Sequence, residues 1–185
     1  MKRKPKARIV TLLIVSIFFI ASCKKDEAPK TDLATTKKEW LTGSWTQKDI
    51  QLGVSTSVNV PGIGKVPLTE GMSMLDDPTI NLLLTGAVGA NPFAYTRANK
   101  YNFNGDGSYK VDGVVDFGGG AQVLAGGAGT WDTEVYSSVL ALFPEKDHRD
   151  PHWINTITAT QLNLAISVTL PGLGDVPMKL LLEKQ

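Results

Sequence analysis

Cysteine and histidine are almost absent from this chain. Its 185 residues hold one Cys, Cys23, and two His, His148 and His152. A single thiol excludes an intramolecular disulfide and a multi-cysteine metal or redox centre. A basic surplus is missing too. Lys and Arg number 19 against 18 Asp and Glu, and five of those bases stand within the first eight residues, where there is no acid. Residues 23–185 therefore carry 14 bases against 18 acids, a net charge near −4, which argues against nucleic acid as a partner. No Gly-x-Ser-x-Gly elbow occurs, and no local spacing of Ser, His and Asp marks a triad. The glycine runs at 118–120 and 126–129 lack the Lys-Ser or Lys-Thr of a phosphate loop. Asp76 and Asp77 read as a helix start rather than as a catalytic carboxylate pair. The expectation is a protein without catalysis and without a cofactor, with a metal-dependent enzyme at His148 and His152 as the alternative.

Charge is also missing from residues 9–22, directly after Lys2, Arg3, Lys4, Lys6 and Arg8. A positive start followed by an apolar stretch shorter than the about 20 residues of a membrane span reads as a cleaved signal peptide over 1–22. The junction Ile20-Ala21-Ser22-Cys23 resembles a bacterial lipobox. That implies a mature N-terminus at Cys23 carrying diacylglycerol and an amide-linked chain such as palmitate. Several chains at about 0.8 kcal/mol per buried methylene make such an attachment to the outer membrane effectively permanent. Lys24-Lys25-Asp26-Glu27 resembles the signal that sends some Bacteroidetes lipoproteins to the outer face of the outer membrane, with a periplasm-facing location as the alternative. Residues 23–38, rich in Lys, Thr, Ala, Pro and Asp without apolar periodicity, read as a lipidated flexible tether.

Residues 39–185 are enough for one core of ordinary size, and one domain is the economical reading. From Thr46 onward Ile50, Leu52, Val54, Val58 and Val60 alternate with polar neighbours, predicting one long strand bent at Gly53. Leu162, Leu164, Ile166, Val168 and Leu170 repeat the pattern. Tyr101 and Phe103 lead into Asn104-Gly105-Asp106-Gly107, and Tyr109, Val111, Val115 and Phe117 lead out, which predicts a hairpin. The same four residues have a faint calcium-loop look, but the further acidic ligand is absent and the turn accounts for all of them. Further strands are expected over 130–135, 139–143, 153–158 and 176–182. One helix is credible, with Asp77 as N-cap, Pro78 in its first turn, and Ile80, Leu83 and Leu84 on one side.

Gly43-Ser44-Trp45 at the start of the first strand, Phe103, Asp106, Gly107 and Tyr109 around the hairpin, and Gly129-Thr130-Trp131 later together resemble the lipocalin-like lipoproteins of Bacteroidetes. The resemblance implies an all-β protein, an antiparallel up-and-down barrel of about eight strands with one short helix, the first Trp packing across the closed end. A β-sandwich is the alternative. The long segment 75–99 and the glycine-rich stretch after Phe117 depart from the family pattern and leave strand count and closure open. By the same analogy the function is binding of a small apolar or amphipathic ligand. The alternative is a structural or accessory subunit of an outer-membrane or cell-surface complex.

Two further features stand out. Residues 57–68 match residues 167–178 at a constant offset of 110, with seven of twelve positions identical. Each copy reads as strand, Pro-Gly-x-Gly turn, strand, with Ile63 or Leu173 at the tip. If the sheet closes, the two tips become neighbours and could form an apolar rim that grips a ligand, a partner or the membrane; reuse of one good turn is the simpler explanation. Pro67 and Pro177 require an edge, a bulge or an outward-facing amide. Finally, Asp147-His148-Arg149-Asp150-Pro151-His152 gathers both histidines with two carboxylates. His148, His152, Asp147 and Asp150 are the weak candidates for a metal, set against a solvated charged loop, which Pro151 and the charges favour.

Overall fold

The computed structural model describes residues 38–114, 123–124, 127–134, 136, 138–170 and 174–185. The signal peptide, Cys23, the tether through residue 37, the positions Val115 and Phe117, and the tip residue Leu173 lie outside the described residues. By contacts the chain divides into Met1–Lys30 and Thr31–Gln185, and everything described belongs to the second unit.

Eight strands close into an antiparallel barrel: β1 (Gly43–Leu52), β4 (Lys100–Phe103), β5 (Ser108–Asp112), β6 (Ala128–Glu134), β7 (Val139–Glu145), β8 (His148–Ile157), β9 (Gln161–Leu170) and β10 (Gly174–Lys184). Each pairs with the next, and β10 returns to β1. The ring of strands is closed, which decides against a sandwich. Between β1 and β4 the chain inserts the hairpin β2 (Thr56–Val60) and β3 (Gly64–Leu68), the helix α1 (Pro78–Val88) and a 3-10 turn (Pro92–Thr96). Among the described residues no helix is long and apolar enough to cross a membrane.

The period-two pattern explains the inner face. Leu162, Leu164, Ile166, Val168 and Leu170 of β9 and Met178, Leu180 and Leu182 of β10 are all buried. In β1 the inward parity switches. Trp45 and Gln47 are buried on odd positions and Ile50 and Leu52 on even ones, because a bulge between Gln47 and Asp49 leaves Lys48 exposed. The strand then stops at Leu52, not at Val60. Gly53 donates its amide to Pro177 O at 2.8 Å, and a Cβ there would lie 2.9 Å from that oxygen. Only a glycine lets the two backbones approach so closely, so the expected single bent strand is two strands in two sheets.

One end of the barrel is sealed. A helical turn at residues 38–41 brings Leu41 over Trp45, whose Nε1 donates to Leu41 O at 2.7 Å. Phe103 and Trp131 meet edge-to-face with ring centroids 5.6 Å apart, a contact worth about 0.5–1.5 kcal/mol beyond its buried area. Lys184 Nζ stands 5.2 Å from the Trp45 ring centre.

Candidate functional site: an apolar cleft at the open end

The insertion lies at the opposite end. The β1–β4 ladder spans only Gly43 to Thr46 on β1, and beyond it residues 71–74 take the vacant edge. Met74 N donates to Ile50 O at 2.7 Å, Leu52 N to Met72 O at 2.9 Å and Gly71 N to Leu52 O at 2.9 Å. Ser73 Oγ donates to Asp49 Oδ1 at 2.6 Å. A buried polar network then ties the end of the insertion to the barrel interior. Tyr101 OH donates to Gln47 Oε1 at 2.9 Å, Gln47 Nε2 donates to Thr96 Oγ1 at 2.6 Å, and Asn99 Nδ2 donates to Val114 O at 2.6 Å. Burial raises the Tyr101 hydroxyl pKa well above its ordinary value, so it stays a donor.

Helix α1 is placed by its caps. Asp77 Oδ1 accepts from Thr79 N at 2.8 Å and Ile80 N at 3.1 Å, and Gly89 closes the other end at φ 86°. Ile80 and Leu84 are buried and Leu83 packs partly against the core, on the side the sequence predicts. The remaining face is mixed: Asn81 and Thr85 are exposed, and so are two large apolar residues. Leu82 is 70% exposed and Val88 is 50% exposed.

The internal repeat folds twice into one hairpin in one register. Ser57 pairs with Pro67 and Val58 with Val66; 110 positions on, Ser167 pairs with Pro177 and Val168 with Val176. The β1–β10 ladder ends at Leu52 and Met178, so Pro177 lies just beyond β1, in keeping with its missing N–H. The first hairpin therefore stands beside the base of the last one at the open end. Ile63 is at its tip and 73% exposed; the matching tip lies outside the described residues.

Between the β2–β3 hairpin, α1 and the ends of β9 and β10 lies a cleft of about 880 Å³. Leu52, Leu68, Met74 and Leu170 form its floor and belong to the barrel core, while Val54, Ile63, Leu82, Val88 and Tyr95 form its exposed walls and rim. Among the described residues nine large hydrophobic side chains are exposed, and these five all line this one cleft. Among the described residues Asp175 is the only charged one that lines the cleft, and its Oδ1 accepts from Thr169 Oγ1 at 2.6 Å. Such a surface favours apolar matter at about 25 cal/mol per Å² buried, before the cost of association. Ile63 was legible in the sequence as an apolar tip. Leu82, Val88 and Tyr95 were not singled out, although a helix with leucines on more than one side carried the signal.

The histidine cluster is not a loop. Residues 148–152 form the first half of β8, which corrects the expectation of a solvated charged segment. Asp150 and His152 pair with Leu142 and Leu140, both buried on the inner face. The pleat thus turns the pair into the barrel while Arg149 faces out to Glu134. His152 is 5% exposed, with Nε2 2.8 Å from Asp150 Oδ2. Burial, and secondarily the Asp150 charge, push the Tyr109 hydroxyl up to about 12. His148 and Asp147 are exposed at the strand end. Among the described residues no three His, Cys, Asp or Glu side chains come together as metal ligands would.

What the fold and cleft define is an eight-stranded up-and-down β-barrel, sealed at one end and opening at the other into an apolar cleft. No protein-family model matches the chain, and no curated protein matches it.

Proposed function

We propose that this protein is a lipid-anchored binding protein that takes a small apolar or amphipathic molecule into the cleft at the open end of its barrel and catalyses nothing. The observation that carries this reading is the gathering of Val54, Ile63, Leu82, Val88 and Tyr95, all exposed, around an 880 Å³ cleft floored by core residues. Soluble domains rarely leave that much contiguous apolar surface uncovered unless something binds there. Resemblance to lipocalin-like lipoproteins supports the same assignment, and the lipobox at Cys23 supports attachment to the outer membrane, with Lys24-Lys25-Asp26-Glu27 directing the protein to the cell surface.

Native mass spectrometry of the protein purified from its own cells tests the ligand, and the environment-sensitive fluorophore N-phenyl-1-naphthylamine tests the cleft. The expected result is saturable enhancement that Leu82→Asp removes, with stability changed by no more than about 0.5 kcal/mol because Leu82 is exposed. Fluorophore binding unaffected by Leu82→Asp and Ile63→Asp together would sink the cleft assignment. Labelled palmitate tests the anchor separately: the natural chain incorporates label and Cys23→Ala does not.

A further inference from the structure

The cleft at the open end is short of positive charge. Residues 39–185 hold nine Lys and Arg, and none of them lines the cleft. The positions of this span outside the described residues add no base, since Asp116 is their single ionisable residue. The bases nearest in sequence to the lining are turned away or engaged. Lys65 pairs with Asn59 across the first hairpin, one step out of phase with the Val58 and Val66 pair. Val58 packs against the core, so alternation directs Lys65 to the opposite face. Arg97, two residues past Tyr95, holds Asp76 with Nη2 2.6 Å from Oδ1. Lys179, two past Pro177, donates to Glu70 Oε1.

Asp175 gives the cleft its sign. It is exposed near the outer end of β10, across from Thr169 of β9, whose hydroxyl donates to Oδ1 at 2.6 Å. A carboxylate offers about four lone-pair sites, and the Thr169 hydroxyl uses one of them. An amphiphile with its apolar body on Leu52, Leu68, Met74 and Leu170 brings its head to the mouth, where Asp175 stands. A negative head meets like charge there and finds no ammonium or guanidinium to pair with, so leaving water costs it free energy. A hydroxyl head donates to the carboxylate and carries no charge to desolvate.

We propose that the ligand of this cleft is an uncharged amphiphile with a hydrogen-bond-donating head, of the long-chain alcohol or acylglycerol kind, and that the cleft rejects a carboxylate of the same chain length. Asp175 is the residue that sets this selectivity, and the missing counter-cation is what makes it one-sided. The inference rests on the cleft being the ligand site and adds to that reading the charge of the head group.

Displacement of N-phenyl-1-naphthylamine from the full chain in nonionic detergent, by 1-decanol and by decanoate, tests it at neutral pH, where the acid is ionised. The cleft signal is the enhancement that Leu82→Asp removes. Decanol is expected to displace the fluorophore, and decanoate to do so about tenfold or more weakly. Asp175→Asn should narrow that gap. Asp175→Lys should reverse its order, because the exposed side chain then offers an ammonium where the carboxylate stood. Ile63→Lys sets an ammonium on the rim without touching Asp175 and should strengthen decanoate in the same direction, so a folding defect at position 175 leaves that variant decisive. Absence of any saturable cleft signal overturns the cleft assignment and this inference with it. A saturable signal that decanoate displaces as well as decanol, or that decanol does not displace, overturns this inference alone. So does a gap that persists unchanged in both Asp175→Lys and Ile63→Lys.

Discussion

At the sealed end of the barrel Trp45, Phe103 and Trp131 are buried, and each indole N–H is bound, Trp45 to Leu41 O and Trp131 to Asn104 O. At the open end the exposed large apolar side chains are aliphatic or tyrosine, and they remain in water although core residues lie directly beneath them. Both ends are built of apolar surface. They differ in whether the chain itself completes the packing. The sealed end finishes its own contacts with the turn at 38–41, the 104–107 hairpin and the C-terminal Lys184, so its apolar surface stabilises the fold. The open end leaves contacts unmade, so its apolar surface is available to a ligand.

The largest test of that difference is Trp45→Ala. It opens a cavity under the seal, and a loss of about 3–5 kcal/mol is expected in denaturant unfolding; a cost below about 1 kcal/mol would mean that the seal is not where stability resides. Next comes Gly53→Ala, which drives a Cβ to within 2.9 Å of Pro177 O. A loss of about 1–3 kcal/mol is expected, with faster amide exchange in β2 and β3 than in β9, because the hairpin loses its attachment to β10. Asp77→Ala should cost about 1 kcal/mol through the lost cap and weaken fluorophore binding, since α1 walls the cleft; unchanged binding would separate the helix from the site.

The smallest effect belongs to the rim of the sealed end. Lys38 Nζ donates to Asp132 Oδ1 at 2.8 Å, with both side chains largely exposed. That hydrogen bond, foremost, holds the Asp132 pKa below its ordinary value. A depressed carboxyl contributes stability above its unfolded pKa and loses it as pH falls through the folded one. Solvent screening keeps the contribution under about 1 kcal/mol. Asp132→Asn should therefore lower stability at neutral pH by less than about 1 kcal/mol and leave it unchanged at acid pH, which flattens the acid limb of the profile by that amount.

How legible all this was varies along the chain. Alternation over residues 162–170, the Asn-Gly-Asp-Gly turn and the Asp77-Pro78 helix start were readable because pleat, turn geometry and capping depend on neighbours a few residues away. The repeat was readable as two like hairpins, and their common register bears that out. Charge density misled at 148–152. A run of ionisable residues reads as solvated, yet in a strand alternate side chains face opposite ways, and two of these face inward.

By itself the amino-acid sequence determined the alternation of β9, the turn at 104–107, the N-cap of α1 and the repeat, since each is a local preference of the backbone. Only the tertiary structure decided that β10 pairs with β1, that β1 ends at Gly53 against Pro177, and that the insertion leaves an apolar cleft. Those outcomes rest on contacts between positions more than a hundred residues apart or on which neighbour happens to cover an apolar face, and no short stretch of sequence carries that information.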